Sequence, residues 1–263
     1  MEDSVKSDEW SIRLFRKSIL KQNKLRLIIN FLGDTKNLHC LDIGSDNGVI
    51  SYFLRKRDGF WKSADLDPAA VKAIEKVVHT DVCQIQGDKT PFQDQEFDRV
   101  VIVDFLEHIP DDRAFIKELY RILKPSGEVI INVPHIKKSF LRKFRLSIGQ
   151  TDEKHGHLRP GYTEEGLRHI LGPEFSVLRA ETYSRFFLEV IDTLVTFFVG
   201  LLKKGDRTQK GMIFEENDFQ KNQRMFRMYS FVYPVFWLFS KLDYLLFWRS
   251  GYMLMAKAKV NKH

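Results

Sequence analysis

Apolar residues recur along this chain in two rhythms, and the switch between them marks its elements. Across residues 10–32, Leu14, Ile19, Leu20, Leu25, Ile28, Ile29 and Leu32 fall at helical intervals, which predicts one or two amphipathic helices stopped at Gly33. From residue 38 onward, short apolar runs alternate with helical stretches. Leu38, Cys40, Leu41 and Ile43 predict a buried strand, and Val49, Ile50, Phe53 and Leu54 the helix behind it. Residues 59–68 carry strand two and then a helix start, with Asp67 as N-cap and Pro68 at the first helical position. Strand three is expected at residues 82–88. Residues 97–104 (FDRVVIVD) read as a central parallel strand buried on both faces. A turn at 123–128 precedes strand five at 129–133, and strands six and seven are expected at 175–183 and 251–260. Asp111, Asp112 and Arg113 open one further helix, and Thr163, followed by Glu164 and Glu165, caps another. Strands separated by helices in this way predict an α/β fold built on a doubly wound, mostly parallel sheet.

The turn after strand one carries the first chemistry. Asp42, Gly44 and Gly48 are spaced D-x-G-x-x-x-G, which does not fit the dinucleotide pattern G-x-G-x-x-G. Glycines there let backbone approach a polar ligand, with free N–H groups facing it. Asp65 lies about where a nucleotide-binding βαβ unit places its ribose-binding acid.

The D-x-G-x-x-x-G loop resembles motif I of class I S-adenosylmethionine (SAM) methyltransferases, usually D/E-x-G-x-G-x-G. Asp46 replaces the central glycine, and Asp tolerates left-handed backbone better than most residues. Its carboxylate could face the amino group of the methionine part of SAM or repel its carboxylate. FDRVVIVDFLEHI followed by LKPSGEVIINVP closely resembles methyltransferases of the ubiquinone- and menaquinone-biosynthesis type, over about residues 38–135. The resemblance implies a seven-stranded Rossmann-like sheet of order 3-2-1-4-5-7-6 and S-adenosyl-L-methionine as cofactor. It implies cofactor contacts at Asp42, Gly44, Ser45, Asp46 and Gly48, and a ribose ligand at Asp65 beside Leu66. Asp88 with Lys89 would lie at the adenine, and Asp104 with Phe105 at the end of strand four. The basic face of the helix ahead of motif I is either simply solvated or, as in related enzymes, sets Lys17 or Lys21 near the cofactor carboxylate. A hydroxyl acceptor needs a base, and histidine titrates near neutrality. The candidates are His108, then His135 and His155, although an E-H-I step is often structural in related enzymes. No metal is expected, because His155 and His157 lack a matching cluster.

Composition changes the picture outside this core. The two cysteines, Cys40 and Cys83, make no disulfide framework, which suggests a reducing compartment. The acidic, polar N-terminus does not read as a signal peptide. The net charge is +7, and residues 200–263 supply all of it, with 12 Lys and Arg against 5 Asp and Glu. Residues 186–202 and 225–248 are rich in apolar and aromatic side chains but are interrupted by Glu189, Asp192, Pro234, Lys241 and Asp243. They fall short of a membrane span. Tyr229, Tyr233, Trp237, Tyr244 and Trp248 suit a lipid–water boundary and their basic neighbours suit anionic lipid. Packing on the domain or across a homodimer is the alternative. Residues 135–149 predict a short basic amphipathic helix, facing either anionic groups or solvent. His155, His157, Arg159 and Tyr162 lie in a loop where they would line an acceptor site or pin the loop by local hydrogen bonds.

The expected organisation is a helical cap (1–37), a SAM-binding domain (38–185 with 251–263) and a helical insertion (186–250). The expected activity is methyl transfer, as O-methylation, to a lipid or lipid-linked acceptor at a membrane surface. The expected setting is cytoplasmic and peripheral, with no nucleic-acid partner. A soluble acceptor and a non-catalytic membrane scaffold are the rival readings.

Overall fold

Seven strands form one sheet, ordered β3-β2-β1-β4-β5-β7-β6 as expected: β1 (His39–Ile43), β2 (Phe60–Asp65), β3 (Val82–Gln84), β4 (Phe97–Val103), β5 (Leu123–Pro134), β6 (Phe175–Tyr183) and β7 (Met253–Val260). The structure is a computed structural model, and it describes residues 10–137, 139–151, 156–202 and 223–262. His155 and the linker between the two helices of the insertion lie outside the described residues. Strands β1 to β5 pair in parallel, while β7 runs antiparallel between β5 and β6.

Period-two alternation along buried strands feeds two cores. Val100 and Ile102 of β4 meet α5 (Asp112–Ile122) and α7 (Glu164–Leu171) on one face of the sheet. Val101 and Val103 meet α2 (Ile19–Leu32) and α3 (Val49–Arg55) on the other. Phe115, Ile116, Leu119 and Ile122 line one side of α5 and are buried. Each such side chain contributes about 1.5–3 kcal/mol by leaving water. Asp67 and Pro68 start α4 (Pro68–Val78) as read, and Asp111 and Thr163 cap α5 and α7.

Three strand boundaries differ from expectation. β3 stops at Gln84, because the chain turns back at once through Gly87 (φ 60°) and Gln86 bridges Lys89. β5 starts at Leu123, which pairs with Phe97, so the expected turn is an irregularity within one strand. β7 starts at Met253, because Gly251 is pressed against β6: a Cβ there would lie 1.9 Å from the Tyr183 carbonyl oxygen.

At the N-terminus, α1 (Trp10–Phe15) and α2 cover the sheet, and Ser18 caps α2. Between β6 and β7 stand α8 (Phe186–Leu202) and α9 (Gln223–Lys241), with a 3-10 turn at Leu242–Leu246. The buried Asp243 caps α8 from outside, accepting from the backbone N–H groups of Arg185, Phe187 and Leu188. One side of α9 docks on the cap, where the Tyr229 hydroxyl donates to the Lys17 carbonyl at 2.6 Å. The other side exposes Met228, Phe231, Val235 and Leu238 at intervals of three and four. Among the described residues no helix is long and apolar enough to cross a membrane.

Candidate active site

In an open α/β sheet, ligands bind beyond the carboxyl ends of the strands, where the strand order reverses. Here that point lies between β1 and β4, and a cavity of about 490 Å³ lies there. Asp46 from the β1 exit, Asp104 from the β4 tip and His135 from the β5 tip all line it.

The β1 exit loop is held from beneath. Asp42 is fully buried, and its carboxylate accepts from the hydroxyls of Ser45 and Ser63, each at 2.7 Å, and of Ser51. Burial pushes its carboxyl above the ordinary range, and the three hydroxyl bonds pull the other way. Asp42 and Ser45, expected at the cofactor, brace the turn from inside. Gly44 (φ 93°) passes so close to β4 that a Cβ would lie 2.2 Å from the Val103 carbonyl oxygen. Asp46 takes the left-handed backbone (φ 51°) that its substitution for glycine requires, and Gly48 (φ 75°) leads into α3.

Asp104 (φ 44°) forms an ion pair with Lys24 of α2 and accepts from Asn132 Nδ2 at 2.6 Å. The Tyr183 hydroxyl donates in turn to Asn132 Oδ1. Burial alone would lower the pKa of Lys24, but the Asp104 carboxylate holds it above its ordinary value. Lys21, one helical turn earlier, opens onto the cavity; the protein around it lowers its pKa, against the pull of Asp46. Two ammonium and two carboxylate groups around a glycine turn match the zwitterionic end of an amino acid. Sequence reading picked out Lys17 or Lys21 for this role, but the ion pair to β4 comes from Lys24. Lys17 lies instead over the Tyr233 ring of α9.

The remaining cofactor candidates separate. Asp65 stands at the tip of β2, level with Gly44, and is fully buried, with one oxygen accepting from the Asp67 N–H. Leu66 packs partly against the core. Asp88 is half-buried and Lys89 exposed, and neither lines the cavity. Phe105, also expected at the cofactor, packs in the core, 4.9 Å from the Phe115 ring between centroids.

His108 and His135 both line the cavity and are oriented alike. His108 Nδ1 lies 3.0 Å from the Gly156 carbonyl oxygen, and His135 Nδ1 lies 2.8 Å from that of Gly251. A carbonyl can only accept, so in the neutral ring Nδ1 carries the proton and Nε2 is left with a lone pair. Glu107, His108 and His157 offer ligand atoms within 4.8 Å of one another, enough to hold a metal ion. The expectation that His157 lacks a matching cluster is thereby corrected: its partners, Glu107 and His108, come from the β4 exit, far away in sequence. Arg159 and Tyr162 pin the loop. Arg159 donates to the carbonyls of Leu106 and Pro110, and the Tyr162 hydroxyl donates to Asp112 at 2.8 Å.

α6 (Phe140–Ser147) and α8 cover the cavity, joined to the rest and to each other by Lys137–Glu189 at 2.8 Å and Arg145–Asp192 at 3.3 Å. The basic side of α6 faces the cavity through Arg142 and Arg145, while Phe140 and Phe144 remain exposed.

Comparison with known proteins agrees with this geometry. Residues 41–131 match the family described as "Methyltransferase domain". A ubiquinone biosynthesis O-methyltransferase of Alkalilimnicola ehrlichii is 28% identical over 138 residues, covering 49% of this chain and 56% of the relative. A ubiquinone/menaquinone biosynthesis C-methyltransferase, UbiE, of Rickettsia felis is 30% identical over 122 residues, covering 41% and 49%. The chain thus spans about half the length of these curated relatives. A SAM-dependent methyltransferase from Aquifex aeolicus shares the fold, with a TM-score of 0.51 at 18% identity over 65% of this chain and 90% of its own. Residues 41–131 therefore form a methyltransferase domain, carried on the seven-stranded sheet described above.

Proposed function

We propose that this protein methylates a hydroxyl of a lipid or lipid-linked small molecule presented at a membrane surface. The observation that carries the reading is the cavity at the strand-order reversal, where His108 and His135 share one chamber with Asp46 of the glycine turn. For S-adenosyl-L-methionine, Lys21, Lys24, Asp46 and Asp104, gathered at the cavity, would hold the amino-acid end, and Asp65 and Asp88, outside its lining, would take the ribose and adenine at the exits of β2 and β3. When bound, the cofactor supplies an electrophilic methyl group. His108 or His135 takes the acceptor proton at Nε2, a role worth about 10²–10⁴ in rate; His155 is the third candidate.

The exposed apolar stripe of α9 and the basic excess within residues 200–263 support the membrane surface, and a cytoplasmic, peripheral location is part of the same reading. The three-and-four spacing of Met228, Phe231, Val235 and Leu238 also suits pairing with a second copy, which favours a soluble acceptor as the second reading. Calorimetric titration with SAM, competed by S-adenosylhomocysteine, tests the cofactor. Mass-spectrometric detection of methyl transfer to a long-chain phenol in vesicles, against its short-chain soluble analogue, tests the acceptor. Absence of SAM heat removes the methyl-transfer reading. Equal methylation of both phenols, with a dimer in solution, selects the second.

A further inference from the structure

A second cleft, of about 220 Å³, lies between α2 and the insertion and shares Tyr183 and Ser184 with the catalytic cavity. Its lining carries three cations and one carboxylate, Asp243, which Arg185 faces electrostatically. Arg26, Arg185 and Lys241 line it, and none forms a salt bridge with a described carboxylate. Arg26 donates to Asn23 Oδ1 at 3.1 Å and Arg185 Nε to the Arg249 carbonyl at 3.0 Å. The Lys241 ammonium lies 4.7 Å from the centre of the Trp237 ring. The only carboxylate among the described lining residues, Asp243, is taken up by three N–H groups at the start of α8. Ser184, 4% exposed, also lines the cleft, and its buried hydroxyl has no hydrogen-bond partner. Three cations and an unpartnered hydroxyl around a small cleft make a receptor for a compact, multiply charged oxyanion. The nearby surface is greasy: Trp237, Leu238, Tyr244, Leu245, Phe247 and Trp248 are all exposed. A soluble anion needs no such rim, whereas a phosphate at the head of two acyl chains does.

We propose that this cleft binds the headgroup phosphate of an anionic phospholipid while the aromatic rim enters the acyl boundary. The shared Tyr183 and Ser184 place that lipid beside the catalytic chamber. The proposal rests on the membrane-surface reading and adds a defined headgroup site to it.

Flotation of the full chain with vesicles of phosphatidylcholine, alone or mixed with phosphatidylglycerol, tests it, comparing wild type with the R26Q/K241Q double variant. Both side chains lie outside the core, and an unchanged thermal midpoint and SAM heat confirm that the variant folds. Wild type should prefer the anionic vesicles, and the variant should bind them roughly thirty-fold more weakly. On phosphatidylcholine alone the two should be equal. Equal binding of both proteins to anionic vesicles overturns the cleft. So does a wild type that binds both vesicle types alike, although the membrane-surface reading then survives. A wild type that binds neither sinks both. Calorimetric binding of inorganic phosphate, lost in the variant and without vesicle preference, assigns the cleft to a soluble anion instead. SAM heat is read separately, so methyl transfer stands or falls on its own.

Discussion

Replacing Lys24 by Met tests whether the N-terminal cap is locked over the active site by one charge pair. Lys24 and Asp104 are part-buried, at 16% and 31% side-chain exposure, and Asp104 keeps its bond from Asn132 when the lysine is gone. Breaking a fully buried pair costs about 3–5 kcal/mol and an exposed one about 0–1. The burial here places the loss at about 2 kcal/mol, or roughly 4–8 °C in melting temperature for a chain of this size. D104N should cost a similar amount, since Asn also tolerates the left-handed backbone at that position. The double variant K24M/D104N should cost little more than either single change, giving a coupling energy of about 2 kcal/mol in a thermal double-mutant cycle. The pH dependence has a definite sign. Asp104 raises the pKa of Lys24 above 10.5, so the contribution is complete below that value and is lost as pH rises through the higher folded-state pKa. The gap between wild type and K24M should therefore hold across neutral pH and close in strong alkali. A coupling energy below about 0.5 kcal/mol, or a gap abolished by salt, would refute the lock.

Four further outcomes follow from other contacts. G44A should abolish SAM heat and destabilise the fold by about 2–4 kcal/mol in denaturant titration, because a Cβ meets the Val103 carbonyl at a positive φ. H108Q and H135Q should leave SAM affinity unchanged, and whichever residue is the base should lose about 10²–10⁴ in kcat together with the acid limb of the pH–rate profile. R159M should cost about 2 kcal/mol in thermal melts through its lost bonds to Leu106, Pro110 and Asp112, while SAM titration stays normal. D243A should uncap α8 at a cost of about 1–2 kcal/mol and raise hydrogen exchange at Phe187 and Leu188.

Local pattern determined a great deal of this protein. The apolar runs set the seven strands, Asp67, Asp111 and Thr163 set the helix starts, and Gly44 with Gly48 set the loop that names the domain type. These features are legible because each depends on neighbours a few positions away. The tertiary structure decided which way the polar groups point and what they meet. Asp42 reads as a ligand but faces three hydroxyls, and Phe105 reads as cleft but is core. Lys24, rather than its neighbours on the same basic face, reaches across 80 positions to Asp104, and His157 joins Glu107 and His108. Such pairings depend on which chain ends the folded sheet brings together, and that information is spread over the whole sequence rather than held in any one stretch of it.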